Sequence, residues 1–446
     1  MKENTKLIIS IFCIAFLIRF LFLLIMPQFF DRMFHFRDDW IYLTYAKNII
    51  SQGIWVPDIT RMDLSIYGDP YIAHDVGPGW PLILSLIILL FGENLQIIMF
   101  LNVILSSLTC IVIYHLGKEV FNKEIGIMSF IWSTIYVYFM VYIPRVLKEN
   151  LLQLLIPLVI LLMVYEIKKS RANKTSIFFS LAFTYLIHTD ERYMIFLPII
   201  FITMIACNNI NRMNGLKNFA VFMTAVIVLS IPWTIRNYVV YNRLVILTTR
   251  TEIVTNPIFE KIKSYNNIKV KKQEITKSST EYLDNIEQNN IDKGYFIKTK
   301  NDNSSLFNSF DEVFQRLSIY WAPMVLRESK FEGKFNTWGI LAGSLKYNLR
   351  GMLTFGILLP FFIVGSIFSL KNNKLGFSLI LFILIQSLLH IATDLMNPWP
   401  RYRYPIDSLI IIMAFYGLHQ LVQAKRINRQ VSCIKNLFSI LLEPRT

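Results

Sequence analysis

Unbroken apolar runs separated by short polar connectors dominate both ends of this chain. Leu7–Met26, Leu95–Leu116 and Met352–Leu370 are the plainest of them. Each reaches the roughly 18 residues that an α-helix needs to cross a hydrocarbon core of about 30 Å. Further runs fall near 125–143, 147–165, 175–189, 191–206, 217–235, 375–392 and 405–421. The pattern predicts an all-α polytopic membrane protein with about ten transmembrane helices. Juxtamembrane helices in the first external loop, 27–94, and one large external segment complete it.

Pro81–Phe91 is apolar but short. As a helix its 11 residues would reach only about 16 Å, so it is read as interfacial or re-entrant. Loop charge supports that choice. With Pro81–Phe91 kept on one side, Lys118 and Lys123, Lys168 to Lys174, Arg212 and Lys217, Lys371 and Lys374, and the tail Lys425–Arg429 all face the cytoplasm, as the positive-inside bias requires. Counting it as a crossing would turn all of these outward. The stretch 175–206 is read as a hairpin, because one long helix would bury His188, Asp190, Glu191 and Arg192 at mid-depth. Both termini are then cytoplasmic, in a cell membrane, and the polar cluster is extracytoplasmic.

Three regions follow: 1–236 as an N-terminal membrane domain, 237–350 as an extracytoplasmic loop or small domain rich in Lys, Asn and Ser, and 351–446 as C-terminal helices with a tail. Val431, Ile434, Leu437, Phe438 and Leu441 recur at helical spacing in that tail, compatible with a surface helix. Met1–Leu24 begins like a signal peptide but has no small-residue cleavage site, so it is read as an uncleaved first span. The net charge of +15 would point to nucleic acid in a soluble protein. Here it sits in inter-helix loops, which accounts for it by topology and argues against nucleic-acid binding. Cys13, Cys110, Cys207 and Cys433 are far apart, with no metal-ligand spacing and no disulfide framework. No metal or other cofactor is called for on those grounds.

Candidate chemistry gathers on the outward side. Asp38 and Asp39 open a helical stretch in which Asp38, Tyr42 and Tyr45 share a face. His74 and Asp75 precede Gly77-Pro78-Gly79. Arg145, Lys148 and Glu149 follow the third span, and Asp190, Glu191 and Arg192 the fifth. Arg236 follows Pro232-Trp233, and Arg401 and Arg403 precede the last span. A carboxylate can take a proton from an acceptor, and arginines can stabilise a departing phosphate through charge-assisted hydrogen bonds. Duller readings also fit. The acid pair suits a helix N-terminus, Glu149 could pair with Lys148 or Arg145, His74 could be a solvated loop residue, and the arginines could be interfacial anchors.

The order Arg37-Asp38-Asp39-Trp40-Ile41-Tyr42, Gly77–Pro81, Val146–Asn150, Pro232–Asn237 and Arg401–Pro405 resembles the GT-C superfamily of membrane glycosyltransferases. Within it, the protein O-mannosyltransferase and aminoarabinose transferase branch is the nearest. The resemblance covers about residues 1–240 and 350–425. It implies a single inverting displacement that moves a sugar from a polyprenyl-phosphate donor to a glycan, lipid or protein acceptor. Asp38 is then the base, with Asp39 and Glu149 beside it. Arg236, Arg401, Arg403 and Arg192 bind donor phosphate, and Tyr42, His74 and Asp75 position donor or acceptor. The aminoarabinose branch carries an acid and a lysine before the proline of the short helix. His74-Asp75-Val76-Gly77-Pro78 lacks that lysine, so neither its phosphate contact nor a family-like bound metal is expected. Two other classes remain open from the residues: an envelope polysaccharide polymerase or ligase, and a non-enzymatic lipid-linked sugar transporter.

Overall fold

A computed structural model describes residues 2–25, 37–54, 60–62, 71–73, 77–168, 174–208, 212–241, 244–248, 320–321, 352–393 and 402–442. His74, Asp75 and Arg401 lie outside them, as does nearly all of the large polar segment. The elements run α1 (Lys2–Ile25), α2 (Arg37–Gln52), a two-stranded antiparallel ribbon of β1 (Thr60–Met62) and β2 (Tyr71–Ala73), α3 (Gly79–Phe91), α4 (Leu95–Val120), α5 (Lys123–Ile135), α6 (Glu149–Lys168), α7 (Lys174–Thr189), α8 (Leu197–Ala206), α9 (Arg212–Tyr241), α10 (Ile357–Asn372), α11 (Lys374–Thr393) and α12 (Asp407–Leu442). Met1–Thr251 and Gln315–Thr446 form one compact unit. Apart from that short ribbon the described residues are helical, and the protein is a multi-pass α-helical membrane protein.

Helices occur at every predicted position, but not all are full crossings. Among the described residues, six are long and apolar enough to span: α1, α4, α6, α9, α10 together with the helical turn before it (Thr354–Asn372), and α12. The expected span 125–143 stops at Ile135 and continues as a 3-10 turn, Val137–Phe139. Polar side chains in the neighbouring apolar helices explain how it can stop there. Ser106 donates to the Phe139 carbonyl at 2.8 Å, Asn102 to those of Ile143 and Arg145 at 3.0 and 2.7 Å, Asn150 to Tyr142 at 2.7 Å, and Gln153 to Tyr138 at 3.3 Å. Non-helical backbone is tolerated inside a membrane protein where protein groups satisfy it. The second half of the 175–206 hairpin is likewise divided, into a 3-10 turn, Glu191–Phe196, and the 10-residue α8. The last predicted span and the tail helix are one continuous 36-residue helix, α12.

Arg19, the charge inside the first span, is fully buried. It donates to Ser106 Oγ at 2.7 Å, to Cys110 Sγ at 3.0 Å, to the Ala15 carbonyl of its own helix at 3.2 Å, and to the Ser133 and Thr134 carbonyls at 2.9 and 3.2 Å. The last two belong to the final turn of α5, whose carbonyls lack helical partners. A cation at a helix C-terminus also meets the favourable end of its dipole. Arg19 therefore fastens α1 to α4 and to the end of α5.

The two ends of the bundle are marked by the two ends of α6. Lys168 at the end of α6, Arg212 at the start of α9 and Lys374 at the start of α11 lie together at one end. Glu149, at the start of α6, lies at the other. The path of α3 is fixed relative to those two ends. At its start, Trp80 Nε1 donates to the Val146 carbonyl, just before α6, at 3.0 Å. Just past its end, Glu93 pairs with Lys47 of α2 at 2.6 Å. Two turns into α4, Asn102 is already bonded to Arg145. The 13 residues of α3 cover about 20 Å, and the chain leaves them at the end of the bundle where it entered.

Candidate active site

Asp38 and Asp39 occupy the first turn of α2, where the helix dipole favours acids. Their side chains part company. Asp39 is buried and accepts from Arg145 Nε at 2.9 Å and from the Val146 backbone N–H at 2.8 Å. Burial pushes its carboxyl up, and the Arg145 guanidinium opposes that. Val146 is thus gripped from both sides, its N–H by Asp39 and its carbonyl by Trp80. This fixes the approach to α6, whose first residue is Glu149. Asp38 is half-buried. On the same face of α2, Tyr42 and Tyr45 are buried.

A second cluster closes over the start of α6. Asp190 is fully buried and accepts from Lys148 Nζ at 2.9 Å, and from Arg192 Nη2 at 2.7 Å and Nε at 2.8 Å. It also accepts from the Arg192 backbone N–H at 3.2 Å and so caps the 3-10 turn. Burial alone would raise the Asp190 carboxyl, but Arg192 and Lys148 override it and hold it well below the usual carboxylate range. The Arg192 guanidinium stands over the Tyr402 ring at 5.0 Å. Its side chain keeps 20% exposure, against 7% for Arg145. Gly77-Pro78-Gly79 threads beneath this cluster. A Cβ at Gly77 would overlap the His188 carbonyl and one at Gly79 the Thr189 hydroxyl, and Tyr185 donates to the Gly79 carbonyl at 2.7 Å. Close backbone approach is what those glycines permit.

Arg236 is buried against the same α2 face. It donates to the Ile54 carbonyl at 2.6 Å, to Asn237 Oδ1 at 2.8 Å and to the Tyr45 hydroxyl at 3.5 Å, and it stacks on Trp233 at 4.6 Å. Arg403 is fully buried. It donates to Asp407 at 3.0 Å and to the Tyr320 carbonyl at 3.0 Å, and it lies 3.5 Å over the Phe355 ring. Asp407 in turn accepts the Tyr136 hydroxyl at 2.6 Å. Arg403 thereby ties the start of α12 to the end of α5.

The acid of α2, the start of α6, the 189–192 turn, the end of α9 and the 402–407 turn are thus linked at one end of the bundle. Arg145 pairs with Asp39 and Lys148 with Asp190, each across a long stretch of sequence. Sequence reasoning missed Asp407, Tyr136 and Tyr320. The Arg403/Asp407 spacing of four residues at a helix start was the available signal. Among the described residues no three His, Cys, Asp or Glu side chains come together as a metal site.

The sequence model of the dolichyl-phosphate-mannose-protein mannosyltransferase family matches residues 75–235, from the approach to α3 into α9. The archaeal oligosaccharyltransferase AglB from Archaeoglobus fulgidus, solved with an inhibitory peptide and a dolichol-phosphate, superposes with a TM-score of 0.56 at 14% identity over 97% of this chain. The chain carries the GT-C membrane fold. The apo form of the same oligosaccharyltransferase gives a TM-score of 0.55 at 14% identity over 95% of the chain. The chain spans about half the length of these structures, 52% in each case. No curated protein matches it in sequence. At this identity the superposition establishes the GT-C architecture, and the family match ties residues 75–235 of that architecture to mannosyltransferase-like sequences.

Proposed function

We propose that this GT-C protein is a glycosyltransferase that moves a sugar from a polyprenyl-phosphate carrier to an acceptor at the extracytoplasmic face of the cell membrane. Asp38 removes the proton from the acceptor hydroxyl or amine. The acceptor attacks the anomeric carbon, and the bond from that carbon to the phosphate oxygen breaks with inversion. The electron pair leaves on the lipid phosphate. Glu149 positions the acceptor. Arg192, the more open guanidinium, faces the departing phosphate with Arg401, and the buried Arg236 supports that side of the site through Tyr45 and Trp233. Asp39 acts through Arg145 and Val146 as a positioning residue, and Arg403 does the same through Asp407. Tyr42, His74 and Asp75 shape the donor and acceptor sites. No metal or other cofactor enters this scheme.

One observation carries the reading: a half-buried carboxylate on a juxtamembrane helix shares one end of a GT-C bundle with Glu149 and the Asp190-held Arg192. Purified full-length protein, incubated with synthetic polyprenyl-phosphate hexoses or with nucleotide sugars and a mixture of envelope acceptors, separates the classes. Transfer from the lipid-phosphate donor alone, with release of polyprenyl phosphate, is expected. Transfer from a nucleotide sugar, or movement of the lipid-linked sugar across vesicles without transfer, contradicts it.

A further inference from the structure

At the Lys168 end of the bundle, two adjoining cavities of about 400 and 340 Å³ open between α6, α8, α9, α10 and α11. They share Ala206, Cys207 and Lys374 in their walls. The larger is polar, with Lys168, Asn208, Asn373 and Lys374 among its lining residues. The smaller is apolar, bounded by Ile202, Phe377 and Leu381, with Arg212 also in its wall. Ile202 and Phe377 are exposed at 52% and 39%, on helices that would face lipid. Among the described residues, no carboxylate lines either cavity. Lys168 is already engaged by Glu119 at 2.8 Å, so positive charge for a ligand comes from Lys374 and Arg212. The cleft is remote from the candidate active site. Lys168 and Glu149 are the two ends of the 20-residue α6, about 30 Å apart.

A polar, cationic chamber continuous with an apolar one has the form of an amphiphile carrying an anionic head. A free anion would have no use for the second chamber, and basic pockets between transmembrane helices are established lipid-headgroup sites. We infer that this cleft binds an anionic glycerophospholipid of the surrounding bilayer, its phosphate at Lys374 where the two cavities meet, within reach of Arg212 at the edge of the apolar one, and one acyl chain along Ile202 and Phe377. This site goes beyond the proposed transfer reaction and does not depend on it.

Native mass spectrometry of the full-length protein in detergent tests it, titrating phosphatidylglycerol and phosphatidylcholine with identical chains. Phosphatidylglycerol is expected to bind more tightly. Lys374→Ala and Arg212→Ala, both at exposed positions, should each cut that preference about five-fold. Lys217→Ala, a basic residue of α9 outside the cleft, should leave it intact. Equal affinity for the two lipids overturns the assignment, as does a preference lost equally in Lys217→Ala. Displacement by glycerol 3-phosphate at concentrations equal to the lipid would mean a headgroup ion site only, and also overturns it.

Discussion

Asp38→Asn is expected to lower sugar transfer by about 10²–10⁴-fold, the usual worth of a positioned general base. The substitution keeps the shape and removes the negative charge and the ability to take a proton. Asp38 sits half-buried in the first turn of α2, while its neighbour Asp39 carries the ion pair to Arg145. The thermal midpoint of Asp38→Asn should fall by less than that of Asp39→Asn, because Asp39 is the buried acid whose carboxylate holds Arg145. Asp39→Asn strips that carboxylate from a buried guanidinium and loosens Val146, so it lowers stability first and activity as a consequence. Transfer rates that are unchanged in Asp38→Asn but lost in a fully stable Asp39→Asn would reverse the two roles.

The second large effect is expected at Asp190. Asp190→Asn leaves Lys148 and Arg192 without their shared carboxylate in a buried setting, where breaking such a pair costs about 3–5 kcal/mol. The pH dependence has a definite sign. The two cations hold the Asp190 carboxyl well below its ordinary range, so its folded value is lower than its unfolded value of about 3.9. Its contribution is complete above the unfolded value and is lost as pH falls through the folded one. Thermal unfolding in detergent should show wild-type stability from this group flat from about pH 5 to 7 and declining in acid. Asp190→Asn should be less stable at neutral pH, with a shallower acid decline. Equal stability of the two proteins at pH 7 would refute the clamp. The loss should also reach Arg192, whose orientation depends on the Asp190 fork, so affinity for the lipid-phosphate donor falls in any fraction that stays folded.

Much of this architecture was legible in the chain. Membrane residence, the helix positions and the short α3 followed from run length alone, because a bilayer imposes a length that composition reveals. The gathering of Asp38, Asp39, Arg145, Lys148, Glu149, Asp190 and Arg192 at one end followed from counting crossings. Pairing was not legible. Arg145 bonds Asp39, 106 residues away, and spacing carries no trace of that contact. The early end of α5 was hidden as well. The run 125–143 stays apolar throughout, and the groups that release it from helical geometry (Asn102, Ser106, Asn150 and Gln153) sit in other helices. The burial of Arg403 depended on Asp407 and Tyr320, one a turn beyond it and one in the long polar segment. His74, Asp75 and Arg401 lie outside the described residues, and their roles stay as the resemblance implies them.

Single-cysteine labelling with a membrane-impermeant maleimide bears most directly on the path of α3. Trp40, before α3, and Glu93, after it, are both exposed, as is Lys374 at the Lys168 end of the bundle. Replaced one at a time by cysteine in a background lacking Cys13, Cys110, Cys207 and Cys433, residues 40 and 93 should label from the same side of sealed vesicles and residue 374 from the other. Labelling of 40 and 93 from opposite sides would put α3 across the bilayer and separate Asp38 from Glu149.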